Sequence, residues 1–215
     1  MKLFIDTANL EHIREACRWG IVDGATTNPT LVSKTGRAPA DLYAEICQIV
    51  PGPVSLECLS ADVSGIVAEA QQLAGISENV VIKVPILREG LIAVKELTGL
   101  GIKTNVTAVC SPLQALLAAK CGATFVSPFV GRWDMMGQVG MEMIRQIRTI
   151  YDNYDFATQI LVASVRNPAH VLESALAGAD VATVPMEVME QLYYHPMTDL
   201  IVQQFNSDWT KVPGK

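Results

Sequence analysis

The sequence is poor in charged and in aromatic residues. Only 18% of its 215 residues are charged and 6% are aromatic, whereas 50% are hydrophobic. Acidic residues outnumber basic ones, and a net charge of −6 leaves no basic face of the kind that binds nucleic acid. A few arginines can still hold the phosphate of a small substrate. Because aromatic residues are scarce, Ala, Val, Ile and Leu must build the core, which suits parallel strands covered on both faces.

Cysteine pairs and long apolar runs are also lacking. The five cysteines are odd in number and form no CxxC motif, which is typical of reduced thiols in a cytoplasmic protein. No apolar run reaches the ~18 residues of a membrane helix, and the first residues turn polar too early for a signal peptide. The sequence therefore predicts a cytoplasmic protein that has no membrane partner.

Motifs of several enzyme classes are missing. The three histidines, His12, His170 and His195, fall on predicted helices or on the tail, without a spaced cluster of carboxylates. The sequence therefore predicts no metal site, which disfavours a metal-dependent aldolase. No GxSxG elbow is present, which disfavours a hydrolase. No GxGxxG follows the first predicted strand, which weakens a dinucleotide-binding interpretation, and we expect no cofactor.

What the sequence does contain is a regular alternation of short apolar runs and longer amphipathic segments. The runs are eight predicted strands, Leu3–Asp6, Gly24–Asn28, Val54–Cys58, Val80–Val84, Lys103–Thr107, Thr124–Phe129, Ile160–Ser164 and Val181–Val184. Seven segments between them have helical spacing, Leu10–Trp19, Ala40–Ile49, Asp62–Leu73, Leu91–Leu100, Pro112–Ala119, Gly137–Ile150 and Pro168–Ala177. Capping residues precede a proline at two helix starts, Ser111-Pro112 and Asn167-Pro168.

This alternation predicts an α/β fold with a parallel sheet, either a closed barrel or an open doubly wound sheet. The count of eight strands and the chain length favour a single-domain (β/α)8 TIM barrel over residues 1–215. The tail, residues 195–211, reads as one extra C-terminal helix with more apolar surface than a lone terminal helix should expose. We expect it to dock on its own barrel or on a neighbouring subunit, which would make the protein a homo-oligomer.

Polar residues stand at the carboxyl end of nearly every predicted strand, where the chemistry of such barrels takes place. They are, in strand order, Asp6, Thr26 and Asn28, Glu57, Lys83, Asn105 and Thr107, Ser127 followed by Arg132, and Ser164 and Arg166. Residues two apart on a strand share a face, so each close pair points the same way. If these faces point inward, one pocket collects an acid, an amine, amides, hydroxyls and two guanidinium groups.

Lys83 is the most informative of these residues because it lies in the apolar run Val80–Pro85. Burial disfavours the ammonium form, so the amine becomes a nucleophile toward a carbonyl carbon, as Schiff-base catalysis requires. Structural alternatives stay open at this point. Lys83 could extend to the barrel mouth or pair with Glu57 or Asp6, and Asp6 could instead cap the following helix. Asn28 could be a turn residue, and both arginines could lie on the surface.

Six motifs together identify a resemblance that runs over essentially the whole chain. They are Phe4-Ile5-Asp6-Thr7-Ala8, Ala25-Thr26-Thr27-Asn28-Pro29, Ile82-Lys83-Val84-Pro85, Thr104-Asn105-Val106-Thr107, Val126-Ser127-Pro128-Phe129-Val130-Gly131-Arg132 and Ala163-Ser164-Val165-Arg166. In this order and spacing, the chain resembles the small transaldolase family, which also contains the fructose-6-phosphate aldolases. The resemblance implies a (β/α)8 barrel with the Schiff-base lysine on the fourth strand, at Lys83.

The resemblance also implies roles for the other strand-end residues. Asp6 would handle protons at the sugar hydroxyl, and Glu57 with Thr107 would hold the water of carbinolamine formation and dehydration. The remaining residues would bind substrate: Asn28 and Asn105 at sugar hydroxyls, Ser127 with Thr26 and Phe129 in the lining, and Arg132, Ser164 and Arg166 at the phosphate. The small members of the family are ring assemblies of pentamers, so the resemblance implies a pentamer or decamer.

Two activities occur in this family, and three positions favour one of them. Transaldolases pass the dihydroxyacetone unit to an aldose phosphate, whereas the aldolases release it. The aldolase branch typically has Gln where this chain has Glu57, Tyr where it has Phe129, and no counterpart of Asn105. We therefore expect a transaldolase acting on sedoheptulose 7-phosphate or fructose 6-phosphate. Fructose-6-phosphate aldolase is the alternative, and a non-catalytic barrel that binds sugar phosphates is a further one.

Overall fold

Eight parallel strands close into a barrel in the computed structural model, which describes residues 1–213. The strands are β1 Lys2–Asp6, β2 Gly24–Thr26, β3 Val54–Glu57, β4 Val80–Pro85, β5 Thr104–Val109, β6 Phe125–Pro128, β7 Gln159–Val162 and β8 Val181–Val184. They pair in chain order, and β8 closes the barrel on β1. The predicted (β/α)8 TIM barrel is confirmed, and each predicted strand ends within two residues of the observed one.

Eleven helices lie within residues 1–213. They are α1 Leu10–Arg18, α2 Pro29–Ser33, α3 Pro39–Ile49, α4 Val63–Ala74, α5 Arg88–Gly99, α6 Pro112–Lys120, α7 Val130–Met135, α8 Gly140–Asn153, α9 Pro168–Leu176, α10 Met186–Tyr193 and α11 Pro196–Trp209. The predictions missed α2, α7 and α10, each of which begins within three residues of a strand. Helices of five to eight residues make too few turns for an apolar period to identify them.

Local capping explains where several helices begin. The side chain of Ser111 accepts a hydrogen bond from the N–H of Gln114, and that of Asn167 accepts one from the N–H of His170. A proline follows each cap at a position where no backbone donor is needed. Both predicted helix starts are therefore confirmed.

The core has two layers, one outside the barrel wall and one within it. Aliphatic side chains pack between strands and helices, and a separate cluster fills the barrel interior: Phe4, Val81, Phe125, Leu161, Ala163 and Val181. Gly24 makes room for this cluster, because a Cβ there would lie 2.6 Å from the ring of Phe4. These apolar side chains therefore fill the barrel interior, and the polar cavity opens at the carboxyl ends of the strands.

The predicted C-terminal helix is present as α11, and the described part of the chain leaves it exposed. None of its residues is buried, and its large apolar side chains are exposed: Met197, Leu200, Ile201, Val202, Phe205 and Trp209. Docking on its own barrel does not bury any residue of α11 within residues 1–213, and docking on a neighbouring subunit stays a prediction. Within residues 1–213 no helix combines the length and the hydropathy of a membrane span.

Candidate active site

A cavity of about 1030 Å³ opens at the carboxyl ends of the strands. Eleven of the twelve predicted site residues line it: Asp6, Thr26, Asn28, Glu57, Lys83, Thr107, Ser127, Phe129, Arg132, Ser164 and Arg166. The fold thus brings together residues that are up to 160 positions apart in the chain, counting from Asp6 to Arg166. The twelfth, Asn105, does not line the cavity.

Lys83 lies inside the barrel with 5% of its surface exposed. Its Nζ is 3.0 Å from Oε2 of Glu57, which is its register neighbour on β3, and donates to the carbonyl of Thr27 at 2.9 Å. Of the alternatives left open for Lys83, pairing with Glu57 is the one that the structure shows. Pairing with Glu57 occurs within the cavity, so Glu57 is placed to receive a proton from the amine.

Asp6 is the acidic group on the first strand, and burial raises its pKa above the usual value of 3.8. A hydrogen bond from Thr26 and the positive charges of Lys83 and Arg166 offset part of this rise in pKa. The Thr26 hydroxyl donates to Oδ1 of Asp6 at 2.7 Å. The alternative that Asp6 caps α1 is wrong, because Asn9 is the cap. A carboxyl group with a raised pKa is suited to accept and return a proton.

Thr183, at the end of β8, extends this hydrogen-bond chain, and the sequence analysis missed it. Its Oγ1 lies 2.6 Å from Oγ1 of Thr26, and it is almost fully buried in the cavity wall. Because Thr26 gives its single hydrogen to Asp6, Thr183 must donate to Thr26 when Asp6 is ionised. The two-residue alternation along β8, with Val181 inside the barrel, could have identified it.

Asn105 lies beneath the cavity floor and is fully buried. Its Nδ2 donates to Oγ of Ser55 at 3.1 Å, and its Oδ1 accepts from Oγ of Ser127 at 2.8 Å. The expected contact of Asn105 with a sugar hydroxyl stays a prediction. Asn105 lies two residues before Thr107 on the same face of β5, one hydrogen bond away from the cavity lining. Its effect on the cavity passes through Ser127.

Two buried hydroxyl groups at the cavity wall have no hydrogen-bond partner within residues 1–213, those of Thr107 and Ser164. An unsatisfied buried hydroxyl indicates a position for a ligand or a water molecule. Backbone strain occurs at the same places, because Ala108 and Ser164 have φ values of 57° and 59°. Left-handed conformations of non-glycine residues cluster at functional sites. The unsatisfied hydroxyl groups and the strained backbone therefore both indicate that the ends of β5 and β7 take part in function.

Asn28 serves both the fold and the cavity. Its Oδ1 accepts the N–H of Leu31 at 2.9 Å and so caps α2, while the residue also lines the cavity. The interpretation of Asn28 as a turn residue is therefore incomplete. With Oδ1 occupied, the amide N–H groups remain as donors toward a substrate.

Arg132 and Arg166 lie on the opposite side of the mouth and are exposed. Neither guanidinium group forms an ion pair with any residue of 1–213. Phe129 lines the same cavity and packs on the apolar cluster inside the barrel. This side of the cavity can hold an anion, because no carboxylate of residues 1–213 lies within ion-pair distance of either guanidinium group, although Arg166 acts on Asp6 at longer range. Across the described chain, no three His, Cys, Asp or Glu side chains converge as metal ligands.

Comparison with known proteins agrees with this geometry. The family model for Transaldolase/Fructose-6-phosphate aldolase matches residues 3–212. A "Probable transaldolase" of Aquifex aeolicus is 58% identical over 100% of this chain and 99% of its own length. A second one, of Geotalea uraniireducens, is 57% identical over 99% of this chain and 100% of its own length.

Solved structures of low identity show the same fold. A thiamine phosphate pyrophosphorylase from Pyrococcus furiosus has a TM-score of 0.61 and 17% identity, over 89% of this chain and 93% of its own. A mandelate oxidase variant has a TM-score of 0.60 and 14% identity, over 87% of this chain and 65% of its own. These likenesses concern the barrel alone. By the family model and these relatives, the chain belongs to the transaldolase/fructose-6-phosphate aldolase family.

Proposed function

We propose that this protein is a transaldolase of the pentose phosphate pathway. It takes a dihydroxyacetone unit from sedoheptulose 7-phosphate or fructose 6-phosphate and gives it to glyceraldehyde 3-phosphate or erythrose 4-phosphate. The observation that carries the proposal is the buried Nζ of Lys83, held 3.0 Å from Glu57 in a cavity that also contains Asp6 and two arginines that form no ion pair within residues 1–213. The full-length relatives that carry the name "Probable transaldolase" support it.

The first half of the reaction forms the Schiff base. Glu57 accepts the proton of the Lys83 ammonium group, and the free amine attacks the ketone carbon of the substrate. The carbinolamine hydroxyl then takes a proton from Glu57 and leaves as water, so that the acid returns to its ionised state. Thr107 has a buried hydroxyl that finds no partner among the described residues, which suits it to hold that water.

The second half breaks and reforms a carbon–carbon bond. Asp6 takes the proton of the hydroxyl next to the breaking bond, and the bonding electrons move into the protonated imine on Lys83. The aldose phosphate leaves, while the enamine of dihydroxyacetone stays attached. An acceptor aldose phosphate then enters, and the same steps run in reverse, with Asp6 returning its proton. Burial, which raises the pKa of Asp6, suits it to both directions.

Substrate binding divides between two sides of the cavity. Arg132, Ser164 and Arg166 hold the phosphate, and the unsatisfied Ser164 hydroxyl is one donor to it. The amide of Asn28 and the hydroxyl of Ser127 contact the sugar hydroxyls. In the proposed complex, the ketone carbon lies near Lys83 when the phosphate is bound.

A borohydride experiment tests the covalent step. Reduction in the presence of fructose 6-phosphate should add a dihydroxyacetone-derived group to the peptide that contains Lys83, as measured by mass spectrometry. Lys83→Ala should show no adduct while keeping its far-UV circular dichroism. Full wild-type turnover by Lys83→Ala would refute the proposal. Equal substrate binding by both proteins, with no turnover by either, would favour the non-catalytic barrel.

A second assay separates transaldolase from fructose-6-phosphate aldolase. Fructose 6-phosphate is supplied with and without erythrose 4-phosphate, and free dihydroxyacetone is measured. Phe129 has no hydroxyl group to position a water molecule against the imine, so we expect transfer with the acceptor and little release without it. Rapid release of dihydroxyacetone without the acceptor would assign the aldolase activity instead.

We also propose that the protein is a cytoplasmic homo-oligomer, a pentamer or decamer, in which α11 packs on a neighbouring subunit. The exposed apolar side chains of α11 support this, because a monomer would leave them in water. A chain that ends at His195 should have the mass of a monomer in light scattering. An unchanged assembly mass after that truncation would contradict the role of α11.

A further inference from the structure

The helix that carries Arg132 is too short to fix its own direction. Helix α7 has six residues, and the barrel holds its first turn through the backbone. The N–H of Val130 donates to the carbonyl of Ala163 at 3.1 Å, and the N–H of Gly131 donates to that of Ser164 at 3.1 Å. A Cβ on Gly131 would lie 2.7 Å from Cγ of Arg166, so the two segments are in close contact.

The other end of α7 is held by Asp134. Its Oδ1 accepts the N–H of Gly140 at 2.9 Å, and its Oδ2 lies 2.8 Å from Nε2 of His170 on α9. The Trp133 indole donates to the carbonyl of Cys110 at 2.6 Å, which fixes the remaining side. Asp134 is thus the residue that connects α7 to the helix following β7.

His170 continues this connection to the backbone of the second arginine. The ring is 8% exposed, and its Nδ1 accepts the N–H of Arg166 at 3.2 Å. Because Nδ1 is an acceptor, the ring hydrogen is on Nε2, where it points to Asp134. One imidazole therefore joins the segment that carries Arg132 to the segment that carries Arg166.

We infer that Asp134 and His170 are positioning residues that set the separation of the two guanidinium groups for the substrate phosphate. This inference rests on the proposed function, and the pair itself does not touch the substrate. A phosphate that contacts both guanidinium groups needs them at one spacing, so a support that holds their two segments together favours its binding. Ser164 lies within the supported segment, with φ at 59° and a hydroxyl that has no partner among residues 1–213.

The test compares phosphate binding with the reactivity of the lysine. Inorganic phosphate is titrated into the full-length protein by calorimetry, and dihydroxyacetone, which has no phosphate, is trapped on Lys83 with borohydride. We expect His170→Ala to weaken phosphate binding about tenfold, because it frees both arginine-bearing segments. Its trapping rate with dihydroxyacetone should stay within about twofold of wild type.

Two further variants distinguish positioning from loss of stability. His170→Asn keeps an acceptor near the position of Nδ1, so it should recover most of the phosphate affinity. Ser174→Ala is the matched control, because it removes a buried hydrogen bond to the carbonyl of His170 on the same helix. It should lower the melting temperature while phosphate binding stays unchanged.

Several results would overturn the inference. Unchanged phosphate binding in a folded His170→Ala protein would show that the pair has no effect on the arginines. An equal loss of phosphate binding in Ser174→Ala, or a parallel loss of dihydroxyacetone trapping in His170→Ala, would assign His170 to general stability. Failure of the wild type to trap dihydroxyacetone would contradict the proposed function instead, while the phosphate titration would still test the positioning pair.

Discussion

The two sides of the cavity are built in opposite ways. On the amine side, Asp6, Glu57 and Lys83 stand on strands, are at most partly exposed, and each has a partner: Thr26 for Asp6, and Glu57 and Lys83 for each other. On the guanidinium side, Arg132 and Arg166 stand on a short helix and a loop, are exposed, and have no ion-pair partner within residues 1–213.

This difference indicates that the proton-transferring groups, and not the phosphate-binding groups, must be arranged before the substrate binds. Proton transfer depends on exact donor and acceptor positions, and strands inside a barrel provide them at little cost in flexibility. A phosphate group brings its own charge, so the residues that bind it can remain solvated until it enters. We expect changes on the amine side to lower kcat, and changes on the guanidinium side to raise KM.

The largest effect is expected from Lys83→Met. It removes the nucleophile, so transfer from fructose 6-phosphate should fall by at least about 10⁴-fold in a coupled assay. The melting temperature should also fall, because the Glu57 carboxylate then has no partner. Adding Glu57→Gln should recover part of the melting temperature but none of the activity. Recovered activity in the double variant would contradict the role of Lys83.

Asp6→Asn should lower kcat by about 10² to 10⁴-fold, with a small change in KM. Its stability should change in the opposite direction. Because burial raises the pKa of Asp6, ionisation destabilises the wild type as pH rises from about 3.8 through the raised value. Asp6→Asn should therefore be more stable than wild type in urea unfolding at neutral pH, and this advantage should vanish below pH 3.8. An equal advantage at every pH would contradict the raised pKa.

Arg166→Ala should raise KM for fructose 6-phosphate by about 10- to 100-fold, since a charge-assisted hydrogen bond to phosphate is lost. Trapping of dihydroxyacetone should be unaffected, because that molecule has no phosphate. Arg145→Ala serves as a control, because it removes a charge from the outer face of α8 and should leave KM unchanged. A fall in kcat with an unchanged KM would instead indicate that Arg166 acts in the chemical step and does not bind the phosphate.

The smallest effect is expected from Thr183→Val. The Thr183 hydroxyl supports Thr26, which in turn stabilises the ionised form of Asp6. Its loss should raise the pKa of Asp6 further and lower kcat a few-fold, about the effect of one hydrogen bond. The acidic limb of the pH profile of kcat should move to higher pH. Thr183→Ser should return the acidic limb to its wild-type pH. An acidic limb at the wild-type pH in Thr183→Val would show that the Thr183 hydroxyl does not affect the pKa of Asp6.

The sequence alone determined the class of fold and the level of the site. Short apolar runs and amphipathic segments of helical spacing are local properties, so eight strands and most of the helices could be recognised without any contact being known. The same alternation placed polar residues at strand ends, and eleven of the twelve chosen residues line one cavity. Asn105 was chosen by the same rule but does not line the cavity, because its side chain is hydrogen-bonded to Ser55 and Ser127 within the barrel.

The contacts between the site residues, in contrast, could be identified only from the folded barrel. The Glu57 partner of Lys83, the support of Ser127 by Asn105, and the chain from Thr183 to Asp6 all join residues of different strands. The bridge from Asp134 to Arg166 through His170 joins segments about 30 residues apart. Each contact depends on how the barrel closes and how far each side chain reaches, and neither quantity is encoded in a run of neighbouring residues.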